Sequence, residues 1–83
     1  MLNKKQIEED YPDEPILFAD GFEDAFLGIA TIFNKHIATY DRDKCILILV
    51  DRDDMSFTEA EEFFDYNVVG SYMGEYTPGF LQH

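Results

Sequence analysis

The sequence predicts an α+β fold: a small two-stranded sheet with three helices in the order β-α-β-α-α, followed by an aromatic C-terminal tail. Three observations predict it. Short apolar runs of strand length stand at residues 15–19 and 36–40. A stripe of apolar residues at helical spacing lies between them. Two more helical signals follow, an apolar run framed by charged triplets and a capping box ahead of a second stripe.

Eighty-three residues leave room for one domain. An apolar fraction of 46%, with eight Phe and five Tyr, is ample for one core. Residues 1–14 are polar, acidic and interrupted by Pro12. They read as an acidic N-terminal arm ahead of a single small globular domain over residues 15–83. Pro15-Ile16-Leu17-Phe18-Ala19 runs into Asp20-Gly21, and its length and the turn dipeptide predict the first strand. Asp20 can cap the next element, with Glu23 three residues on as its box partner. Phe22, Ala25 with Phe26, Ile29, and Ile32 with Phe33 share one stripe, which predicts a helix over residues 22–34. Glu23 and Asp24 suit its first turn, Gly28 interrupts it, and Asn34 and Lys35 stop it. His36-Ile37-Ala38-Thr39-Tyr40 alternates and holds β-branched and aromatic residues, the signature of a second strand. Two strands joined by a helix suggest a parallel pair with a right-handed crossover, and an antiparallel pair is also open.

Cys45 to Val50 is an unbroken apolar run between Asp41-Arg42-Asp43 and Asp51-Arg52-Asp53. Ile46, Ile48 and Val50 favour a strand by propensity. Asp41 as N-cap and Arg52 near a last turn favour a helix. A helix over residues 42–51 is predicted, apolar nearly all round and so among the most buried elements. Ser56-Phe57-Thr58-Glu59 is a capping box. Phe57, Ala60, Phe64 and Val68 form the stripe behind it, with Phe63 and Asn67 beside it. Glu61, Glu62 and Asp65 face water, and Gly70 can end the helix as a C′ residue. Residues 71–83 form the aromatic tail, with turn chemistry at Pro78-Gly79.

Charge bounds the function. Eighteen acids against six bases give a net charge of −12. Such a chain repels nucleic acid and anionic membranes, so neither is expected as a direct partner. A basic protein, including one that itself holds nucleic acid, is the partner this charge suits. Solubility alone is the plainer use of the same charge. The acids concentrate at residues 8–24 and 51–65. No run reaches the roughly 18 apolar residues of a membrane span, and the N-terminus lacks the apolar region of a signal peptide. A single cysteine, Cys45, rules out a disulfide scaffold within one chain.

Specific chemistries fare poorly. A calcium loop wants oxygen ligands at positions 1, 3, 5 and 12 and Gly at 6. From Asp41 those positions meet Cys45, Ile46 and Arg52. From Asp51 they meet Met55 and Ser56, although Asp53 and Glu62 fit. Weak divalent-ion binding by Asp51, Asp53 and Asp54 stays open, and no specific metal or cofactor is expected. One cysteine and two histidines do not make a zinc site. Cys45 with His36 is a formal nucleophile pair, but a thiol inside an apolar run is by default buried and inert. There is no glycine-rich phosphate loop and no nucleophile elbow. The chain is therefore expected not to be an enzyme.

The strings from Tyr40 to Leu49, from Thr58 to Gly70 and from Gly74 to Pro78, together with Asp20-Gly21-Phe22-Glu23-Asp24-Ala25, resemble a group of short proteins encoded by bacteriophages and bacterial genomes. The shared pattern is YDxxKCIxIL…EAEEFFxYNVxG…GExTP, and it covers roughly residues 16–80. In that group the position of Leu47 is often polar, which supports a helix there. The acidic arm lies outside the pattern. The resemblance implies a cytoplasmic, phage-borne accessory protein, and brings no catalytic residue with it.

The leading expectation is a small acidic non-enzymatic binding protein. It would inhibit or modulate a nucleic-acid-handling host protein, such as a defence nuclease, through a nucleic-acid-mimicking surface. Asp51, Asp53, Asp54, Glu59, Glu61, Glu62 and Asp65 would stand in for phosphates, with Tyr66, Tyr72 and Tyr76 as aromatic anchors. The alternative is a self-assembling or ligand-sequestering accessory protein whose aromatic tail forms a homodimer or a pocket. A tail folded back over the helices is the plainer use of the same rings.

Overall fold

The computed structural model describes residues 4–70 and 74–82. The chain runs through α1 (Lys4–Asp10), a 3₁₀ turn (Glu23–Ala25), β1 (Phe26–Ile32), β2 (Lys35–Asp41), α2 (Arg42–Arg52), α3 (Phe57–Phe63), a π-helical turn (Phe64–Val69) and β3 (Gly79–Leu81). The class is α+β with three α-helices. The sheet has three strands, not two, in the order β1-β2-β3.

The region expected as a helix over residues 22–34 is a 3₁₀ turn followed by β1. Its acidic start does cap a helical turn, but only for three residues. The rest pairs antiparallel with β2 across the two-residue connection Phe33-Asn34, from Ile32 opposite Lys35 to Phe26 opposite Tyr40. Two apolar segments so close in sequence meet at little loop-closure cost, and β-branched Ile29, Thr31 and Ile32 suit a strand. Gly28 holds φ +149 where the register slips by one residue and Leu27 bulges out. A Cβ there would meet nothing within 4 Å, so backbone conformation, not space, calls for glycine. Four of the six stripe residues still meet the core: Phe22 and Ala25 are buried, and Phe26 and Ile29 pack against it. Ile32 and Phe33 are exposed, and Phe33 has φ +55. That conformation costs a residue with a Cβ about 1–2 kcal/mol.

The strand expected at residues 15–19 is absent. β1 already occupies one side of β2 and β3 the other, and residues 15–19 instead form an irregular segment against the core. Ile16, Phe18 and Ala19 pack against it, and the Ala19 N–H donates to the Tyr40 hydroxyl at 2.9 Å. The strand expected at 36–40 is present as β2. The tail returns as β3, parallel to β2, with Gly79 opposite Thr39 and Leu81 opposite Asp41. The order is therefore α-β-β-α-α-β in place of the expected β-α-β-α-α.

α2 matches its expectation closely. Asp41 caps it, accepting from the Lys44 N–H at 3.2 Å. Cys45, Ile46 and Leu49 are fully buried, Ile48 and Val50 half-buried, and Leu47 is exposed. Each of the buried side chains contributes on the order of 1.5–3 kcal/mol. α3 starts with the expected capping box, Ser56 and Glu59 bonding reciprocally at 3.2 Å. Ala60 and Phe64 are buried as expected, while Phe57 at the first turn is exposed. Gly70 closes the π turn with φ −73, so it is not the left-handed stop that was expected.

The core sits between the sheet and α2–α3. Phe22, Phe64, Phe80 and Tyr40 form a chain of rings at centroid distances of 6.0, 4.9 and 5.9 Å. The N-terminal segment is fastened at the side. Ile7 of α1 is buried, and the Tyr11 ring lies 4.4 Å from that of His36. The Glu14 carboxylate bonds the His36 backbone N–H and ring Nδ1 at 3.1 and 2.6 Å.

Candidate functional site, an acidic corner beside an aromatic groove

α2 and α3 are joined by a tight corner. The Asp53 N–H donates to the Leu49 carbonyl at 3.0 Å and ends α2. Asp54 then takes φ +54, a left-handed conformation that Asp tolerates better than most residues. Met55 packs against the core, and Ser56 caps α3. Asp51, Asp53 and Asp54 are thereby pushed into solvent at the molecule's edge.

The two arginines divide the expected carboxylates. Arg42 has a side chain only 14% exposed, and its Nη2 donates to both carboxylate oxygens of Asp65, at 3.0 and 3.2 Å, with Glu61 at 3.9 Å. This bond ties α2 to the π turn. Arg52 bonds Asp53 at 3.1 Å, donates to the Gly21 carbonyl at 3.2 Å and lies 5.5 Å from the centre of the Phe22 ring. Asp53, Glu61 and Asp65 are therefore partly neutralised, and Glu59 is held in its capping box. Asp51, Asp54 and Glu62 are exposed, with no basic side chain of the described residues at ion-pair distance.

Glu59 and Glu62 border a shallow groove of about 420 Å³, which Met55, Phe63, Tyr66 and Asn67 complete. Tyr66 is 83% exposed and Phe63 40%. The groove lies where α3 widens into the π turn, and the Asn67 amide donates to the Phe63 carbonyl at 3.2 Å. Tyr66 thus stands beside Glu59 and Glu62. Tyr76 is half-buried in the turn before β3, and Tyr72 lies outside the described residues.

The charge-based reading missed the joint made by Arg52. Through the Gly21 carbonyl it brings the end of the first acidic run, Asp20 to Asp24, against the corner. Backbone N–H groups of Glu23 and Gly21 hold the Glu23 carboxyl below its usual range. Burial opposes them slightly, and Arg52 and Lys4 assist. The only signal in the sequence was the lone arginine inside an acidic run. Phe63, expected to flank the buried stripe, forms part of the groove instead.

Elsewhere the chemistry is quiet. Burial pushes the Cys45 thiol up to about 12, which suits an inert core residue rather than a nucleophile. His36 is engaged by Glu14 and Tyr11. Among the described residues no three His, Cys, Asp or Glu side chains converge as metal ligands, and no helix is long and apolar enough to cross a membrane. Comparison with known proteins gives no match to a family model, to a curated protein or to a solved structure.

Proposed function

We propose that the protein is a small, acidic, non-enzymatic binding protein that captures a basic, nucleic-acid-handling partner at the corner between α2 and α3. The observation that carries this reading is the pairing of Asp51, Asp54 and Glu62, exposed and without an ion-pair partner among the described residues, with a groove walled by Phe63 and Tyr66. Carboxylates at the corner steer a basic surface and occupy its phosphate sites. An aromatic groove then supplies the desolvated anchor that charge alone lacks. A phage-borne accessory protein acting in the host cytoplasm, against a defence nuclease for example, is the setting the sequence resemblance suggests.

The test is competitive. A basic partner recovered from host lysate at low salt is titrated against duplex DNA in the presence of the protein. Affinity is expected to fall steeply with salt. Reversing Asp51, Asp54 and Glu62 to Lys together should abolish competition, while the same change at Glu8 and Glu9 on α1 should not. A salt-insensitive complex, or one untouched by the corner reversal, sinks the reading. Glu61 and Asp65 are poor choices for this test because Arg42 uses them in the fold.

A dimer core built from the aromatic tail is the second reading. It has less to draw on, since Phe80 stacks inward on Tyr40 and Phe64.

A further inference from the structure

Two of the departures from regular backbone present an exposed aromatic ring. The first is the turn between β1 and β2. Phe33 occupies its first position at φ +55 and is 94% exposed, beside half-exposed Ile32. Primed hairpin turns favour Gly, Asn or Asp at such positions. Phe is disfavoured there twice over, by its backbone and by its contact with water. Strained residues of this kind concentrate at binding and switch sites. The second departure is the π turn beyond α3, with Tyr66 and the groove at its side. Single π turns inside helices also concentrate at functional sites.

The two features fit each other. The groove, at about 420 Å³, is shallow and open, so a ring would lie against its wall rather than be enclosed. Met55, Phe63 and Tyr66 line the groove with a thioether and two aromatic rings, groups that suit a phenyl ring. Its rim is acidic, with Glu59 and Glu62. The hairpin tip carries one of the chain's few bases, Lys35, two residues after Phe33. Lys35 makes only a surface ion pair, with Glu75 at 3.2 Å, of a type that exchanges partners at little cost. A chain of net charge −12 repels its own copies, so a contact between copies needs an apolar knob and a local base facing local acids. The hairpin tip supplies both.

We propose that the occupant of the groove is a second copy of this chain. Phe33 of one copy seats against Met55, Phe63 and Tyr66 of the next, with Lys35 facing Glu59 and Glu62. This goes beyond capture of a basic partner and stands if no such partner exists. Because both events use the groove, self-association and capture exclude each other there.

Sedimentation over a concentration series tests it. The wild type is expected to pass reversibly from monomer to a larger species. Phe33→Gly removes the knob and relaxes the backbone, so it should weaken association about thirtyfold or more while thermal stability holds or rises. Tyr66→Ala should weaken association similarly. Neither variant should associate alone. An equimolar mixture should form a 1:1 complex, since one variant keeps the groove and the other keeps the knob. A wild type that stays monomeric at every concentration overturns the proposal. So does a Phe33→Gly variant that associates as the wild type does, or a mixture no different from its components. If the wild type is monomeric and Phe33→Gly instead loses a foreign partner, the knob belongs to that partner and self-association fails.

Discussion

Two sets of aromatic rings, alike in chemistry, are built in opposite ways. Phe22, Tyr40, Phe64 and Phe80 come from the residue before the 3₁₀ turn, β2, the π turn and β3, and they meet edge to face or tilted in the core. Phe57, Phe63 and Tyr66 come from one continuous helical stretch and face solvent, as does Phe33 on the hairpin tip. The inward set is assembled by long-range folding. The outward set is mostly local, and acids border it. Phe63 and Phe64 are neighbours in sequence, yet one lines the groove and the other is fully buried. The inward rings are thus expected to govern stability and the outward rings association.

Substitutions can break that division. The largest effect is expected from Phe64→Ala, which leaves a cavity among Phe22, Phe80 and Ala60 and should cost about 3–5 kcal/mol in urea unfolding. Tyr40→Phe keeps the ring but strands the Ala19 N–H, so a loss of about 1–3 kcal/mol is expected in the same measurement.

A pH series adds a third comparison. Burial raises the Cys45 thiol from 9.0 to about 12, and Tyr40 is raised from 10.0 by the same cause. Both groups are held neutral in the fold. Their contribution is complete below the unfolded values and is lost as pH climbs from about 9 towards 12. Cys45→Ala should flatten the first part of that alkaline decline in equilibrium unfolding. Phe33→Gly should raise stability by up to about 1 kcal/mol, the relief of strain less the entropy of glycine. Tyr66→Ala should fall within about 0.5 kcal/mol of the wild type. A large stability loss from Tyr66→Ala would erase the distinction between the two sets.

What was legible in the sequence was what is decided locally. Asp41 and the Ser56–Glu59 box announce α2 and α3 because caps satisfy backbone donors within a few residues. β2 was legible from its alternation. β1 was not. Phe22 to Phe33 satisfies a helical period, and the strand that overrides it is specified by a partner across a turn lacking the usual Asn-Gly signal. β3 is three residues long, and its pairing with β2 spans some forty positions. Of the candidate site, the charge and Tyr66 were legible. The division of the acids was not, since Arg42–Asp65 and Arg52–Gly21 join residues 23 and 31 positions apart.

Cys45 has one more consequence. It is the chain's single thiol, and it sits at zero exposure on the inner side of α2. A thiol reagent in solution therefore reacts only with molecules that have opened. When reclosing is fast, the labelling rate equals the reagent's intrinsic rate multiplied by the opening equilibrium constant, as in amide exchange. The protein carries its own clock for native-state opening, readable without denaturant and without an engineered cysteine. Run on the same variants, that clock would show whether seating the Phe33 ring against a neighbour slows the opening of the core behind it.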